Sequence, residues 1–386
     1  MNKQVANVRL MQKINRLKVL NSLIQNPSIS KPAISEMTGL SKASVTNIIS
    51  FLLEKGLVCE VGREVTDKIG RKAVMLKFCA TNYNFVCVNI TREGVGVYLT
   101  NLDGEVISSR IHNAPNLTSQ KALSIVKEEI HSVISNSDSQ KILAVGISVS
   151  ALLMPDGTLA VSSKFRWDNV DFKGEIQKEI NKPVFVMDTS SAKAYYCSLS
   201  DNEKINSMLF VDLKDGVGAV NFYKGHINKS IIGEIGHTTV EKDGDMCFCG
   251  NRGCLETMCS IERVCEQYQK SGKGNSLDDV INGFENGDKT ATELLIKTGE
   301  YLGIGIANAI NIINPDKVII NKGEWQKSGF VLETAVNEAK KRAFSAISGK
   351  ISFETADIDD IMTVKGMSKS LCESVFDVDF HGDIFD

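Results

Sequence analysis

Two features predict the fold class, an α/β protein headed by a winged helix-turn-helix. The first eighty of the 386 residues carry thirteen Lys and Arg against five Asp and Glu, a net of +8, and the remainder carries thirty-one against forty-two, a net of −11. From Phe85 onward, short strand-like apolar runs alternate with amphipathic helical stretches, the pattern of a layered α/β body. A basic head on an acidic body implies that the head meets a polyanion. The length predicts two to three domains, each with an ample core. No apolar run approaches the length of a membrane span, and Met1-Asn-Lys-Gln-Val-Ala-Asn lacks the apolar stretch of a secretory signal. Ten cysteines without such a signal predict a reducing, cytoplasmic setting and a metal site, not a disulfide framework.

In the head, residues 1–80, Leu17, Leu20, Leu23 and Ile24 recur at helical spacing and predict a first helix. Ser30 is a candidate cap for a second, with Pro32 in its first turn and Ile34 and Met37 expected to face inward. Gly39 supplies a tight turn, and Ser41 caps a third helix whose inward face is Val45, Ile48, Ile49 and Leu52. The outward face at the start of that helix carries Lys42, Ser44, Thr46 and Asn47. Such side chains reach base edges when a recognition helix enters a major groove. Strand-like alternation then flanks a charged turn containing Lys68, Gly70, Arg71 and Lys72, which predicts a hairpin wing.

The body is predicted to place strands at Val86–Ile90, Gly96–Thr100, Ile142–Ser148, Pro183–Met187 and Met208–Leu213. Helices are predicted over Lys121–Ile134 and 292–314, the second with Leu294, Leu295, Leu302 and Ile306 inward and leading through Pro315 into a strand at Lys317–Ile320. The expected division is 81–195 for one lobe, joined by a C-terminal helix over 365–386, and 196–364 for the other.

The densest chemistry is Cys247-Phe-Cys-Gly-Asn-Arg-Gly-Cys254-Leu-Glu256 with His237 just upstream. His237, Cys247, Cys249 and Cys254 supply the one nitrogen and three sulfurs of a closed tetrahedral zinc site, and Gly250 and Gly253 allow the turn that gathers them. Together with Gly233-Glu-Ile-Gly-His237, this segment resembles the signature of the ROK family, named for repressors, open reading frames and sugar kinases. The resemblance extends from the helix-turn-helix to the C-terminal helix and points to the branch of N-acetylglucosamine and xylose repressors. It implies a two-lobed actin-like (ribonuclease H-like) body, with the zinc site in the second lobe. It also implies that Arg71 enters a minor groove beside the recognition helix.

Kinases of the family hold ATP on glycine-rich loops, and those loops are where this chain departs. Where they have Asp-x-Gly-Gly-Thr it has Asn89-Ile-Thr-Arg-Glu93, and where they have Gly-Thr-Gly it has Lys214-Asp215-Gly216. An acidic Asp215 beside a γ-phosphate would be repulsive by several kcal/mol at ~4 Å in a low-dielectric site. Asn321-Lys322 stands before Gly323 in place of the adenosine-side Gly-Gly. The sugar-gripping positions are better matched, by Asp188, Glu234, His237 and Glu256, although Met187 replaces an Asn and Ser150-Ala151 a Pro-Gly. The resemblance gives His237 two duties, one ring nitrogen on zinc and the other toward sugar, and puts Asp188 where the kinases keep a catalytic base. Without ATP loops, Asp188 is assigned to ligand binding and no residue to catalysis. Trp167 is expected to pack in the core, and Trp325 has no assigned role.

The resulting expectation is a sugar-responsive transcriptional regulator, a repressor, with a disabled kinase domain sensing a sugar or sugar phosphate. It would act as a homodimer or homotetramer on a near-palindromic operator. A ROK-type ATP-dependent sugar kinase with an appended DNA-binding head is the alternative. A winged-helix protein-interaction module, and a body regulated by a bound protein in place of a sugar, also stay open.

Overall fold

The computed structural model describes residues 3–63, 72–154, 156–162, 164–199, 206–214, 216–228, 230–231, 233–380 and 383–385. Arg71, Lys68 and Gly70 of the wing tip and Asp215 of the second loop lie outside the described residues.

The head contains α1 (Lys3–Ile24), β1 (Ile29–Ser30), α2 (Lys31–Thr38), α3 (Lys42–Glu54), β2 (Val58–Arg63) and β3 (Val74–Phe78). Its caps follow the sequence. The Ser30 hydroxyl accepts from the Ala33 N–H, Gly39 ends α2 at φ 71°, and the Ser41 hydroxyl accepts from the Ser44 N–H at 3.1 Å. Leu20, Leu23, Ile34, Val45, Ile49 and Leu52 are buried where the three helices meet. Each contributes about 1.5–3 kcal/mol relative to exposure. Met37 is a correction: it is 55% exposed. An eight-residue helix turns only a narrow stripe toward its neighbours, and Ile34 alone fills it in α2. β2 and β3 pair antiparallel from Val58↔Phe78, and β1 adds to the other edge of β3, completing the winged form.

The body is two five-stranded sheets of the same design. In the first, β4 (Asn84–Thr91), β5 (Gly94–Asn101) and β6 (Val106–Asn113) form a meander, and β7 (Ile142–Val149) and β11 (Val184–Asp188) continue it in parallel with β4. A small sheet of β8 (Leu152–Leu153), β9 (Leu159–Ser162) and β10 (Trp167–Val170) intervenes. α4 (Ser119–Ser135) and α5 (Phe172–Gln177) cover the first sheet's outer face through Val126, Ile130, Phe172 and Ile176. The second sheet repeats the plan. β12 (Ser207–Asp212), β13 (Gly218–Tyr223) and β14 (His226–Ile227) form its meander, and β15 (Lys317–Asn321) and β16 (Ser352–Ala356) run parallel to β12. Its outer layer is α7 (Leu255–Cys259), α8 (Ile261–Lys270), α9 (Leu277–Glu285), α10 (Lys289–Ile313), α11 (Gly329–Arg342) and α12 (Ser345–Ser348). Trp325 is buried in this core, and Trp167 in that of the first sheet, its indole N–H donating to the Leu117 carbonyl at 3.1 Å.

Between the sheets lie α6 (Thr189–Leu199) and α13 (Asp360–Val375). Ala192 packs in the core of the first sheet, and Ala194, Tyr195 and Cys197 in that of the second. The two helices approach so closely that a Cβ on Gly366 would stand 1.9 Å from the Ala192 carbonyl oxygen. The C-terminal helix therefore runs Asp360–Val375 and not 365–386. Of the Asp-rich residues after it, the described ones, 376–380 and 383–385, reach the head. Lys13 donates to the Val378 and Phe380 carbonyls, and Arg16 to that of Phe385 at 2.6 Å. Phe376 meets Phe78 and Phe385 edge-on. One continuous core joins Leu20 and Ile49 of the head to Cys87 and Tyr98 of the first sheet and Met367 and Leu371 of α13.

Candidate metal centre and ligand cleft

His237 ends a 3-10 turn, Ile235–His237, and the three cysteines sit on the loop that leads into α7. Bridges between Thr239 and Cys254 and between Met246 and Arg252 fold that loop on itself, with Gly250 and Gly253 at φ 90° and 63°. The four ligand atoms all lie within 4.8 Å of one another. Cys247 Sγ is 3.6 Å from His237 Nδ1, and Cys249 Sγ is 3.6 Å from Cys254 Sγ. A tetrahedral ion with ~2.3 Å bonds to sulfur separates its ligands by about 3.8 Å, close to these two edges of the cluster. This group could hold a metal ion, and its soft N/S donor set suits a thiophilic one.

The other ring nitrogen, His237 Nε2, points to Glu234 Oε2 at 3.8 Å. Glu256, two residues past Cys254, accepts the Val217 N–H at 2.9 Å through Oε2. Its carboxylate approaches Gly216 so closely that a Cβ there would lie 2.4 Å from it. From the first sheet, Asp188 ends β11, and its carboxylate accepts the Ser191 N–H at 2.9 Å and the Ser191 hydroxyl. Burial pushes the Asp188 carboxyl up, the Ser191 hydrogen bonds oppose this, and Asp212 adds to it. Burial likewise raises Glu234; His237 opposes, and Asp188 and Glu256 raise it further. The predicted quartet Asp188, Glu234, His237 and Glu256 therefore shares one electrostatic neighbourhood in the cleft. It lies beyond the C-terminal end of a parallel strand, where open α/β sheets bind ligands. Met187 and Ser148 are neighbours across β11 and β7, so Met187 and the Ser150-Ala151 segment sit at this same end.

The loops compared above with kinase phosphate loops are occupied by the protein itself. Asn89, buried at the end of β4, donates to Asp360 at 3.1 Å and accepts from the Ser148 hydroxyl at 2.6 Å. Asn321 donates to Asp212 at 2.8 Å and accepts the Ile358 N–H at 3.0 Å. Sequence reasoning missed the centre of this network. Lys193 of α6, 1% exposed, places its ammonium 2.8 Å from Asp212 at the end of β12. Asp212 also accepts from Ser190 at 3.0 Å and from the Lys214 N–H at 3.1 Å, so its carboxylate joins α6 to both loops. The available signal was a lysine between alanines in Ser-Ser-Ala-Lys-Ala, a charge on a face otherwise built to pack.

In the head, Lys42, Ser44, Thr46 and Asn47 are all exposed at the start of α3. The Ser44 hydroxyl lies 2.9 Å from that of Ser41, and the Thr46 hydroxyl donates to the Lys42 carbonyl at 2.8 Å.

The comparisons agree with this geometry. Residues 13–58 match a winged helix-turn-helix DNA-binding family, and residues 85–372 match the ROK family. The xylose repressor of Bacillus subtilis (strain 168) is 26% identical over 380 residues, which cover 97% of this chain and 99% of the repressor. The DNA-binding transcriptional dual regulator NagC of Escherichia coli (strain K12) is 28% identical over 365 residues, 88% of this chain and 89% of NagC. Among solved structures, a ROK family transcriptional regulator described as a homolog of the E. coli MLC protein superposes with TM-score 0.81 at 23% identity, covering 96% of this chain and 98% of that one. A ROK family glucokinase from Streptomyces griseus, in complex with glucose and AMPPNP, covers 74% of this chain and 98% of its own at TM-score 0.60 and 16% identity. With three quarters of its length inside the ROK match, a winged helix-turn-helix ahead of it and both body sheets in place, the chain belongs to the ROK family.

Proposed function

We propose that this protein is a sugar-responsive transcriptional repressor in which a zinc-braced, kinase-derived cleft controls a DNA-binding head. The observation that carries the reading is α13. Its first residue, Asp360, bonds Asn89 beside the cleft, and its far end continues into the tail held by Lys13 and Arg16 of α1. A change in the angle between the sheets would therefore bear on the head through one continuous core. The names of the relatives, a xylose repressor and the regulator NagC, support the same assignment.

In this reading His237 Nδ1 and the Cys247, Cys249 and Cys254 thiolates would hold zinc, which would brace the loop that presents Glu234 and Glu256. His237 Nε2 is left to orient Glu234 or meet a hydroxyl. Asp188, Glu234 and Glu256 accept hydrogen bonds from sugar hydroxyls. In this reading phosphoryl transfer is not part of the function: Asn89 stands where the family's kinases keep a carboxylate and is bonded to Asp360 and Ser148, and Asn321 is bonded to Asp212. Lys42, Ser44, Thr46 and Asn47 read the major groove, Arg71 an adjoining minor groove, and two copies pair on a near-palindromic site. Sugar and DNA affinities are then linked and reciprocal.

The test is selection of duplexes from a random-sequence pool, then titration of the enriched duplex at rising salt with and without monosaccharides. An enriched inverted repeat, a steep salt slope and weaker DNA binding with sugar are expected. Failure to enrich any sequence rejects the reading. A coupled nucleotide assay that finds sugar-dependent turnover rejects it equally.

A further inference from the structure

Three of the positions compared above with kinase phosphate loops carry side chains that reach across the cleft. Arg92 stands on the turn between β4 and β5 of the first sheet. Its guanidinium lies 3.9 Å from the carboxylate of Glu262 at the start of α8, in the outer layer of the second sheet. Asn89, near the end of β4, donates to Asp360 at 3.1 Å. Asp360 in turn lies 4.0 Å from the ammonium of Lys214, on the loop after β12 of the second sheet. Two bridges thus leave the first sheet from one hairpin and land on separate elements of the second.

Behind the bridges lies a pivot. α6 and α13 cross in backbone contact at Ala192 and Gly366, and Asp360 sits about 9 Å from Gly366 along α13 at ~1.5 Å rise per residue. Helices packed that tightly can turn on one another more readily than they can part, so side chains that span the gap ahead of the crossing set the angle. Their strength suits a reversible contact. The Arg92 and Glu262 side chains are 57% and 69% exposed, and those of Lys214 and Asp360 40% and 47%. Such solvated pairs bias an equilibrium only severalfold, so a ligand with a modest preference for another angle overrides them. The Lys193–Asp212 pair is the opposite case: it is buried and fixes α6 to β12.

We propose that this half of the cleft is an interlobe clasp, in which Arg92–Glu262 and Asn89–Asp360–Lys214 hold the two sheets at their ligand-free angle. Positions that grip a nucleotide in the family's kinases here grip the other lobe. This inference rests on the reading above, in which phosphoryl transfer is no part of the function, and adds the means by which the angle is held before a ligand arrives.

The experiment is peptide-resolved amide hydrogen exchange of the intact protein and of variants that keep a cooperative melt. Arg92→Glu, Glu262→Arg and Lys214→Glu each break one solvated bridge. Each should speed exchange in α6 and α13, helices that carry none of the three substitutions, by about threefold, the size of one exposed ion pair. The swapped pair, Arg92→Glu with Glu262→Arg, should return both helices to the rates of the unaltered protein, which lost local packing would not do. Lys214→Glu added to Arg92→Glu should exceed either alone. Exchange that changes only beside the substituted residue, or a swapped pair that fails to restore it, overturns the clasp. An inert Lys214→Glu removes its second bridge and overturns it as well. Sugar-dependent nucleotide turnover by the unaltered protein defeats the repressor reading and the clasp together, whereas a failed swap without turnover defeats the clasp alone.

Discussion

The two sides of the cleft solve the problem of buried polarity in opposite ways. On the side of Asn89, Lys214 and Asn321, polar groups answer one another. Asp212 alone collects hydrogen bonds from Lys193, Ser190, Asn321 and the Lys214 N–H. On the side of Asp188, Glu234 and Glu256, three carboxylates crowd one space, and the protein donors that reach two of them are mainly backbone N–H groups. The first side satisfies these polar groups within the protein. The second is an arrangement that improves when hydroxyls arrive. In the proposed reading, one half of a two-substrate site has become structural, and the other keeps the unmet carboxylates on which binding would depend.

The largest effect should come from the brace under the second side. Cys254→Ser is expected to abolish zinc retention and remove ~10 kcal/mol of metal-coupled stabilisation from the loop between Glu234 and Glu256. Elemental analysis and thermal denaturation read this directly. A normal melt with normal sugar binding would break the link between metal and cleft.

Next in size is the first side. Asp212→Ala leaves the Lys193 ammonium buried without its carboxylate and should cost about 3–5 kcal/mol in urea denaturation. The double variant Lys193→Met with Asp212→Asn should recover most of that loss. A cost under ~1 kcal/mol would show that this side is no more self-sufficient than the other.

Asp188→Asn should act in the reverse sense, stabilising the sugar-free protein by up to ~1 kcal/mol while weakening sugar binding. The pH dependence carries the same sign. With Asp188 and Glu234 raised by burial, the folded chain holds protons that the unfolded chain releases. Between the ordinary carboxylate value and the raised one, stability should therefore fall as pH rises and recover on acidification. Asp188→Asn should flatten that slope; a slope unchanged by the substitution removes Asp188 as its source.

The smallest effect belongs to the head. Lys42→Ala should weaken DNA binding by about 1 kcal/mol and lower the salt slope by ~1 if the ammonium meets a phosphate, with zinc content unaffected. Equal affinity and slope in the variant would remove Lys42 from the interface.

Local chemistry made much of this fold readable in advance. Ser30, Gly39 and Ser41 mark helix ends through bonds to residues three or four positions away, and Val45, Ile49 and Leu52 repeat at the helical period. The metal cluster is readable for a similar reason: its four ligands span eighteen residues, and glycines mark the turns. Asp188, Glu234 and Glu256 were picked out by resemblance, since nothing local unites a strand end with two distant loops. Lys193 and Asp212 escaped because their pairing depends on α6 crossing from one sheet to the other, a relation that no periodicity encodes. Met37 was misplaced because a period of 3.6 locates a stripe but not its width. The stop at Val375 was missed because the tail is held by α1, at the far end of the chain.

That tail has a mechanical consequence. With Phe376 against Phe78 and Phe385, and Phe380 beside Phe185, the described residues of the tail tie the head to the first sheet, so the two would move as one arm. The second sheet is then the body against which this arm would swing. If two copies join through their second sheets, a few degrees of rotation become a change in the gap between reading helices. If they join through the first, that gap stays the same whatever fills the cleft.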